Sequence, residues 1–422
     1  MHLLYSIFVN GCLGIIIIII ILQALVFIES KNIHRKAKLS YVEARQNIQR
    51  HRAIADFSVL GKLDLVGRLA SRARPNRRLI EVFDLLNSFT TDSPTIYNQS
   101  VGKARHAIHA MDVDENRWID FFNVAENVMD SLGVIERSIS LAMLVRHLVF
   151  SAMLRPFFDV DPTKLSVGDV LEATEMINEL WVESKKPSRR DLRQSQERLE
   201  TSLRRILPNY FPCRREDHPL NTIIPAYETM WRVVLLTYVS AAFRPADLEE
   251  REFCEVVEAF PQCLDPEDDG ELFEVALNFA KEGLRLYPPT KRIRRAVPGD
   301  TSSSPDDPDI VAADIEKCHR DTRIWGHNAE RFCPYRFNYL TDAMKEAYMP
   351  FGAGKHQCPT ASKFGYRAIL IMVVVLARRL GTRDSGSTMQ FNDARLDEDL
   401  GELLPSGRMD MESWELEVGD FA

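Results

Sequence analysis

The stretch from Leu3 to Ile28 constrains this chain more than any other. It runs for 26 residues without a charge and contains seven consecutive isoleucines, Ile15 to Ile21. About 20 apolar residues suffice for a helix to span a bilayer core. A cleavable leader has a shorter apolar core and small residues at its cut site, and neither fits here. Lys31, Arg35, Lys36 and Lys38 follow the stretch, while the short leading end carries no Lys or Arg. The positive-inside rule then puts the bulk of the chain in the cytoplasm. The expectation is a single-pass transmembrane signal anchor over residues 3–28 and one folded domain over residues 40–422. Asn98-Gln99-Ser100 matches a glycosylation sequon that this topology keeps out of the lumen.

An apolar fraction of 45% is ample for a core, and the net charge of −8 leaves no basic excess for nucleic acid as a partner. Seven cysteines are widely scattered with no C-x-x-C pair, which argues against a disulfide framework or a structural zinc site. Helical spacing predicts helices within Tyr41–His51, over Arg117–Leu132, Glu136–Leu154, Leu165–Lys185, Arg189–Leu207, Thr222–Ala242, Glu249–Phe260 and Glu271–Leu286. The one from Glu136 is apolar on more than one face and belongs in a core. Val297–Asp309 has the composition of an exposed loop, and Ser413–Val418 alternates like a strand. The fold class is mainly α with a small β part.

Three motifs carry chemistry. Phe351-Gly-Ala-Gly354-Lys-His356-Gln-Cys358 puts one cysteine at the end of a loop with two glycines, ahead of an apolar run from Ala368 to Leu376. Glycines let a backbone approach a flat macrocycle closely, and N–H groups at a following helix start favour a thiolate. Glu282 and Arg285 are three apart and share a helix face, just ahead of Pro288-Pro289. Pro225-Ala-Tyr-Glu228-Thr229 interrupts a long apolar helix, where the proline frees a carbonyl and sets an acid beside an alcohol. Read singly, each has a plain alternative: a buried cysteine near a turn, a solvated ion pair, a proline-kinked helix.

Together they resemble the cytochrome P450 family. Phe351, Gly354, His356 and Cys358 match its cysteine-ligand loop, F-x-x-G-x-(Arg or His)-x-C-x-G, with Thr360 where glycine or alanine is usual. Glu282-Gly-Leu-Arg285-Leu-Tyr-Pro-Pro is similar to its K-helix signature, and Pro334-Tyr-Arg336-Phe337 to the segment whose arginine completes a structural triad. Glu228-Thr229 stand at the acid–alcohol positions of its oxygen-activating helix. His319-Arg-Asp321 with Trp325-Gly326 is similar to a further structural segment. Phe89 to His106 resembles filamentous-fungal members.

The resemblance implies a helical haem-binding fold behind one transmembrane helix. It implies haem b, Cys358 as axial iron ligand, and His356, Arg292 and Arg294 as cations for the haem propionates. Glu228 and Thr229 would handle protons, and Glu282, Arg285 and Arg336 would support the pocket. It further implies a monooxygenase served by an NADPH-dependent flavoprotein reductase. That enzyme would put one atom of O2 into a small apolar substrate, in secondary metabolism, at the endoplasmic reticulum membrane. The family's W-x-x-x-R helix is missing, since Trp118 has Phe122 four residues on; Lys103 or Arg105 stands in as the expected substitute. The region before Arg78 is short for the usual N-terminal strands. A haem-thiolate isomerase or dehydratase without reductase, and a degenerate non-catalytic membrane protein, are the rivals.

Overall fold

No glycine or proline lies between Ile15 and Leu60, so nothing in the sequence stops the first helix. The computed structural model describes residues 2–133, 138–186, 191–211, 214–245, 247–264, 270–297 and 310–419. In it helix α1 runs unbroken over His2–Ala55, 54 residues. The helix expected over Tyr41–His51 is one part of that rod. Its second half docks on the body: Arg45 forks onto Glu346 at 2.9 and 3.0 Å, and His51 Nδ1 accepts from Asp314 N.

Four helices follow, α2 (Leu65–Ala73), α3 (Arg77–Phe83), α4 (Pro94–Asp112) and α5 (Asn116–Ser131). Strand β1 (Ser138–Ser140) leads into α6 (Leu141–Phe158). The helix expected from Glu136 therefore starts later, and Glu136 itself lies outside the described residues. α6 is apolar and long enough to cross a membrane, with mean hydropathy 1.4, yet 78% of it is buried inside the protein. It is a core helix. Then come α7 (Val167–Glu183) and α8 (Arg193–Ile206). Next, α9 (Leu220–Ile223), a π-helical turn over Ile224–Glu228 and α10 (Trp231–Phe243) form one interrupted rod. Pro225 accounts for the interruption, because it cannot donate to the helical ladder.

After α11 (Asp247–Cys263) and α12 (Glu271–Leu286), strands β2 (Arg292–Ala296) and β3 (Ile310–Asp314) pair antiparallel. The loop expected between them lies outside the described residues from 298 onward. Short helices α13 (Ile315–Arg320), α14 (Thr322–Trp325) and α15 (Asp342–Ala347) precede α16 (Phe364–Leu380). The tail adds β4 (Thr388–Gln390), α17 (Ala394–Glu398) and β5 (Glu415–Glu417), with sheet order β1-β5-β4.

The core sits where α10, α12 and α16 meet, flanked by α5 and α6. Gly283 permits the closest approach: a Cβ there would lie 1.8 Å from Thr237 Oγ1, so any side chain would push α12 off α10. A second, smaller apolar cluster joins Ala44, Ile48 and Ile54 of α1 to Ala313, Ile315 and Trp325. Thus α1 covers the two-stranded sheet, and no strand lies between α1 and α2.

Candidate functional site

The cysteine loop is built from its glycines outward. Gly352 (φ 80°) and Gly354 (φ 71°) take left-handed backbone, and a Cβ on Gly354 would sit 2.7 Å from Asp56 Cβ. Cys358 N donates to Phe351 O at 3.0 Å, closing the loop. The Phe351 ring packs edge-on to Tyr366, at 5.2 Å between centroids, and over Gly365, where a Cβ would meet it at 2.8 Å. Cys358 is half-buried. The expected helix start beside the sulfur is displaced: a 3-10 turn, Pro359–Ala361, intervenes, and α16 begins at Phe364. The partner of Cys358 Sγ is a side chain, Thr360 Oγ1, at 3.1 Å.

Around His356 the structure gathers positive charge. Arg68 Nε donates to His356 Nε2 at 3.2 Å, and Tyr97 Oη lies 3.0 Å from Nδ1. Since arginine only donates, Nε2 is the acceptor and Nδ1 carries the proton. Burial pushes His356 down to about 4, helped by Arg72, Arg68, Arg295 and Lys355. Arg295 is buried, donates to Ala55 O at 3.0 Å, and has its Nε unpartnered. Burial, with Arg72 next, pushes it down to about 9. Burial also lowers Arg72, while Tyr97 and Cys358 pull the other way, so Arg72 feels the sulfur. Among the described residues, no carboxylate forms an ion pair with Arg68, Arg72, Arg295 or Lys355. Of these Arg295 is the buried one, and a cation buried without a counter-ion is costly. A ligand bearing carboxylates next to Cys358 fits them.

Here the expectation is corrected. Arg292 and Arg294 are exposed, and Arg292 reaches Asp314 at 3.3 Å; strand alternation turns both outward and turns Arg295 inward. That period of two was the available signal. Lys103 pairs with Asp217 at 2.6 Å and Arg105 is exposed, so neither joins the cluster. Arg68, Arg72 and Tyr97 supply it instead, from α2 and α4, and no sequence motif marks them.

The interrupted rod offers two different faces. Pro225, Ala226 and Thr229 are partly open, whereas Tyr227 and Glu228 are buried. Thr229 Oγ1 donates to Pro225 O at 2.8 Å. The carbonyl that the proline frees is Asn221 O, and Asn87 Nδ2 donates to it at 3.2 Å. Glu228 Oε1 is ion-paired with Arg408, which also donates to Asn178 Oδ1 at 3.2 Å and lies over the Trp181 and Trp231 rings. Burial pushes Arg408 down to about 9. Glu228 Oε2, Arg408 Nε and the Tyr227 hydroxyl have no partner.

Glu282 and Arg285 are both fully buried. Arg285 donates to both carboxylate oxygens at 2.7 and 2.8 Å, and Arg336 Nε and Cys333 N add bonds at 3.0 and 2.9 Å. Spare donors on Arg285 take His319 O and Ala329 O, both at 2.6 Å. His319 ties this knot to the cysteine loop, its Nδ1 bonding Arg285 O at 3.0 Å and its Nε2 accepting from Met349 N at 2.8 Å.

The helical body carries a thiol loop beside cations with which, among the described residues, no carboxylate forms an ion pair. The fold resembles that of CYP175A1 from a Thermus thermophilus strain, with TM-score 0.51 and 17% identity over 75% of this chain and 80% of that one. The family model described as Cytochrome P450 matches residues 251–362. A "Probable cytochrome P450 313a4" of Drosophila melanogaster is 30% identical over 203 residues, 45% of this chain and 40% of that protein. A "Bifunctional cytochrome P450/NADPH--P450 reductase" of Bacillus cereus is 33% identical over 100 residues, 22% of this chain and 9% of that protein. Over residues 251–362 the chain is similar to the cytochrome P450 family. The matched part spans less than half of either relative's length.

Proposed function

We propose that this chain is a membrane-anchored haem-thiolate monooxygenase, with residues 3–28 as its anchor and residues 40–422 as its catalytic domain. The observation that carries the reading is Cys358 beside a cluster of Arg72, Arg295 and the Arg68–His356–Tyr97 chain, none of whose arginines is ion-paired to a carboxylate among the described residues. Cys358 would ligate the iron of haem b, and Arg72 and Arg295 would meet its two carboxylates. When bound, that group supplies reductive activation of O2: substrate, O2, NADPH and a proton give hydroxylated product, water and NADP+.

The chain's own residues supply the protons. Thr229 lies on the open face of the rod, and to donate into the cleft its hydroxyl has to leave Pro225 O. Glu228, behind it, keeps one oxygen free to hold a water. This pair favours a monooxygenase over a haem-thiolate isomerase or dehydratase, which needs no proton delivery to O2. An NADPH-dependent flavoprotein reductase is the electron source; the Bacillus cereus relative carries one by name. The substrate is a small apolar molecule of secondary metabolism, reached from the endoplasmic reticulum membrane with the catalytic domain in the cytoplasm.

The test is the absorption spectrum of purified, reduced protein under carbon monoxide. A strongly red-shifted Soret band that Cys358→Ala abolishes is expected. A histidine-type band, or no haem, overturns the reading. With reductase present, Thr229→Ala should retain the band and lower product formed per NADPH by at least roughly tenfold.

A further inference from the structure

The chain departs from its family's loop pattern at Thr360, and there the structure places a hydroxyl on the sulfur. We infer that Thr360 donates a hydrogen bond to the Cys358 thiolate and thereby restrains its electron donation. The inference rests on the haem-thiolate reading above. Thr360 Oγ1 lies 3.1 Å from Cys358 Sγ. An iron-ligating sulfur has no proton, so the hydroxyl is the donor.

The turn itself fixes this contact. Ala361 N donates to Cys358 O at 3.1 Å, which brings the Thr360 side chain back over the cysteine. On the other side, the Thr360 carbonyl abuts Gly365, where a Cβ would lie 2.9 Å from that oxygen. A β-branched side chain has few χ1 choices, so little freedom remains to swing the hydroxyl away. A glycine or alanine at this position has no such donor. Hydrogen bonds to a ligating sulfur tune iron sites, because they stabilise charge on sulfur most in the electron-rich, reduced state. Thr360 is thus a positioning residue: it acts on the iron through Cys358 and touches no substrate.

Thr360→Val removes the hydroxyl and nearly keeps the shape. The haem-loaded protein is equilibrated with dithionite and dye mediators at one fixed potential. The reduced-to-oxidised ratio of Thr360→Val should fall roughly three- to tenfold below wild type, a fraction of the strength of a bond to a charged group. Its ferrous carbon monoxide band should move to longer wavelength as the thiolate donates more strongly. Thr360→Ser should restore both. Thr360→Ala, a residue usual in the family, should match Thr360→Val and serves if the valine variant loads no haem. A hydroxyl-free variant indistinguishable from wild type, or a serine variant that matches valine, overturns the inference and leaves the haem-thiolate reading standing. A wild-type protein without the red-shifted band overturns both.

Discussion

Two glutamates of this molecule are buried against arginine, and they are held in opposite ways. Glu282 receives four donors, two from Arg285 and one each from Arg336 and Cys333. Glu228 meets Arg408 through one oxygen, and its other oxygen has no partner. Both carboxylates are almost wholly inaccessible, at 0% and 1% exposure, so burial does not separate them. Saturation does. A carboxylate with both oxygens bonded holds structure together, while a buried oxygen left without a partner has room for a water and a proton. The first lies in the scaffold under the cysteine loop, and the second lies beside the open face of the interrupted helix.

The largest effect should come from the saturated site. Arg285→Ala leaves Glu282 buried without its main partner and also strips His319 O and Ala329 O, a loss of roughly 3–5 kcal/mol. Little folded protein should survive, as judged by soluble yield and denaturant midpoint. A stable Arg285→Ala protein would put the two glutamates in the same category and end the contrast.

How far the sequence showed this contrast depends on range. Glu282 and Arg285 are one turn apart and Pro288-Pro289 close the helix, so their shared face and the end of α12 were readable from spacing, while the burial of the pair came only with the resemblance. Arg336 was readable through its motif. Arg408 was not, since it lies 180 residues from Glu228 and arrives in a tail with no periodic pattern. Arg72 and Tyr97 were equally hidden, because tertiary packing alone brings α2 and α4 to the cysteine loop. Arg295 is marked by strand alternation in the basic run, which turns it inward and Arg292 and Arg294 outward. The length of α1 was missed for a different reason: its continuity follows from the absence of breakers, which gives no apolar stripe to detect.

A smaller effect should come from the open site. Glu228→Gln keeps shape and one acceptor but cannot carry a proton. The variant should fold and retain its Cys358-dependent spectrum. Productive turnover with reductase should fall roughly 10²-fold, the lower end of general acid–base contributions. Glu228→Gln protein that fails to fold would show the open carboxylate to be scaffold too.

The most gradual effect is set by pH. Burial, with Arg285 next, holds His319 at about 3 against an ordinary 6.5. Between those values the unfolded chain binds a proton that the folded one refuses. Stability should therefore be full above pH 6.5, decline as pH falls towards 3, and lose nothing further from this group below that. One such histidine weakens the folding equilibrium by up to about tenfold per pH unit. Urea midpoints taken from pH 7 down to 4 would show it. A flat profile would mean that His319 is not sealed into the scaffold.

The first helix has a mechanical consequence. A flexible linker forgives insertions, but a rod transmits rotation. Each residue added to or removed from α1 between Ile28 and Arg45 turns one end against the other by about 100° and slides it by about 1.5 Å. Arg45 on Glu346 and Ala55 under Arg295 clamp the far end. Whatever surface the first turns of α1 rest on, the heading of the cysteine loop towards it is set by residue count, as a key's bit is set by its shaft.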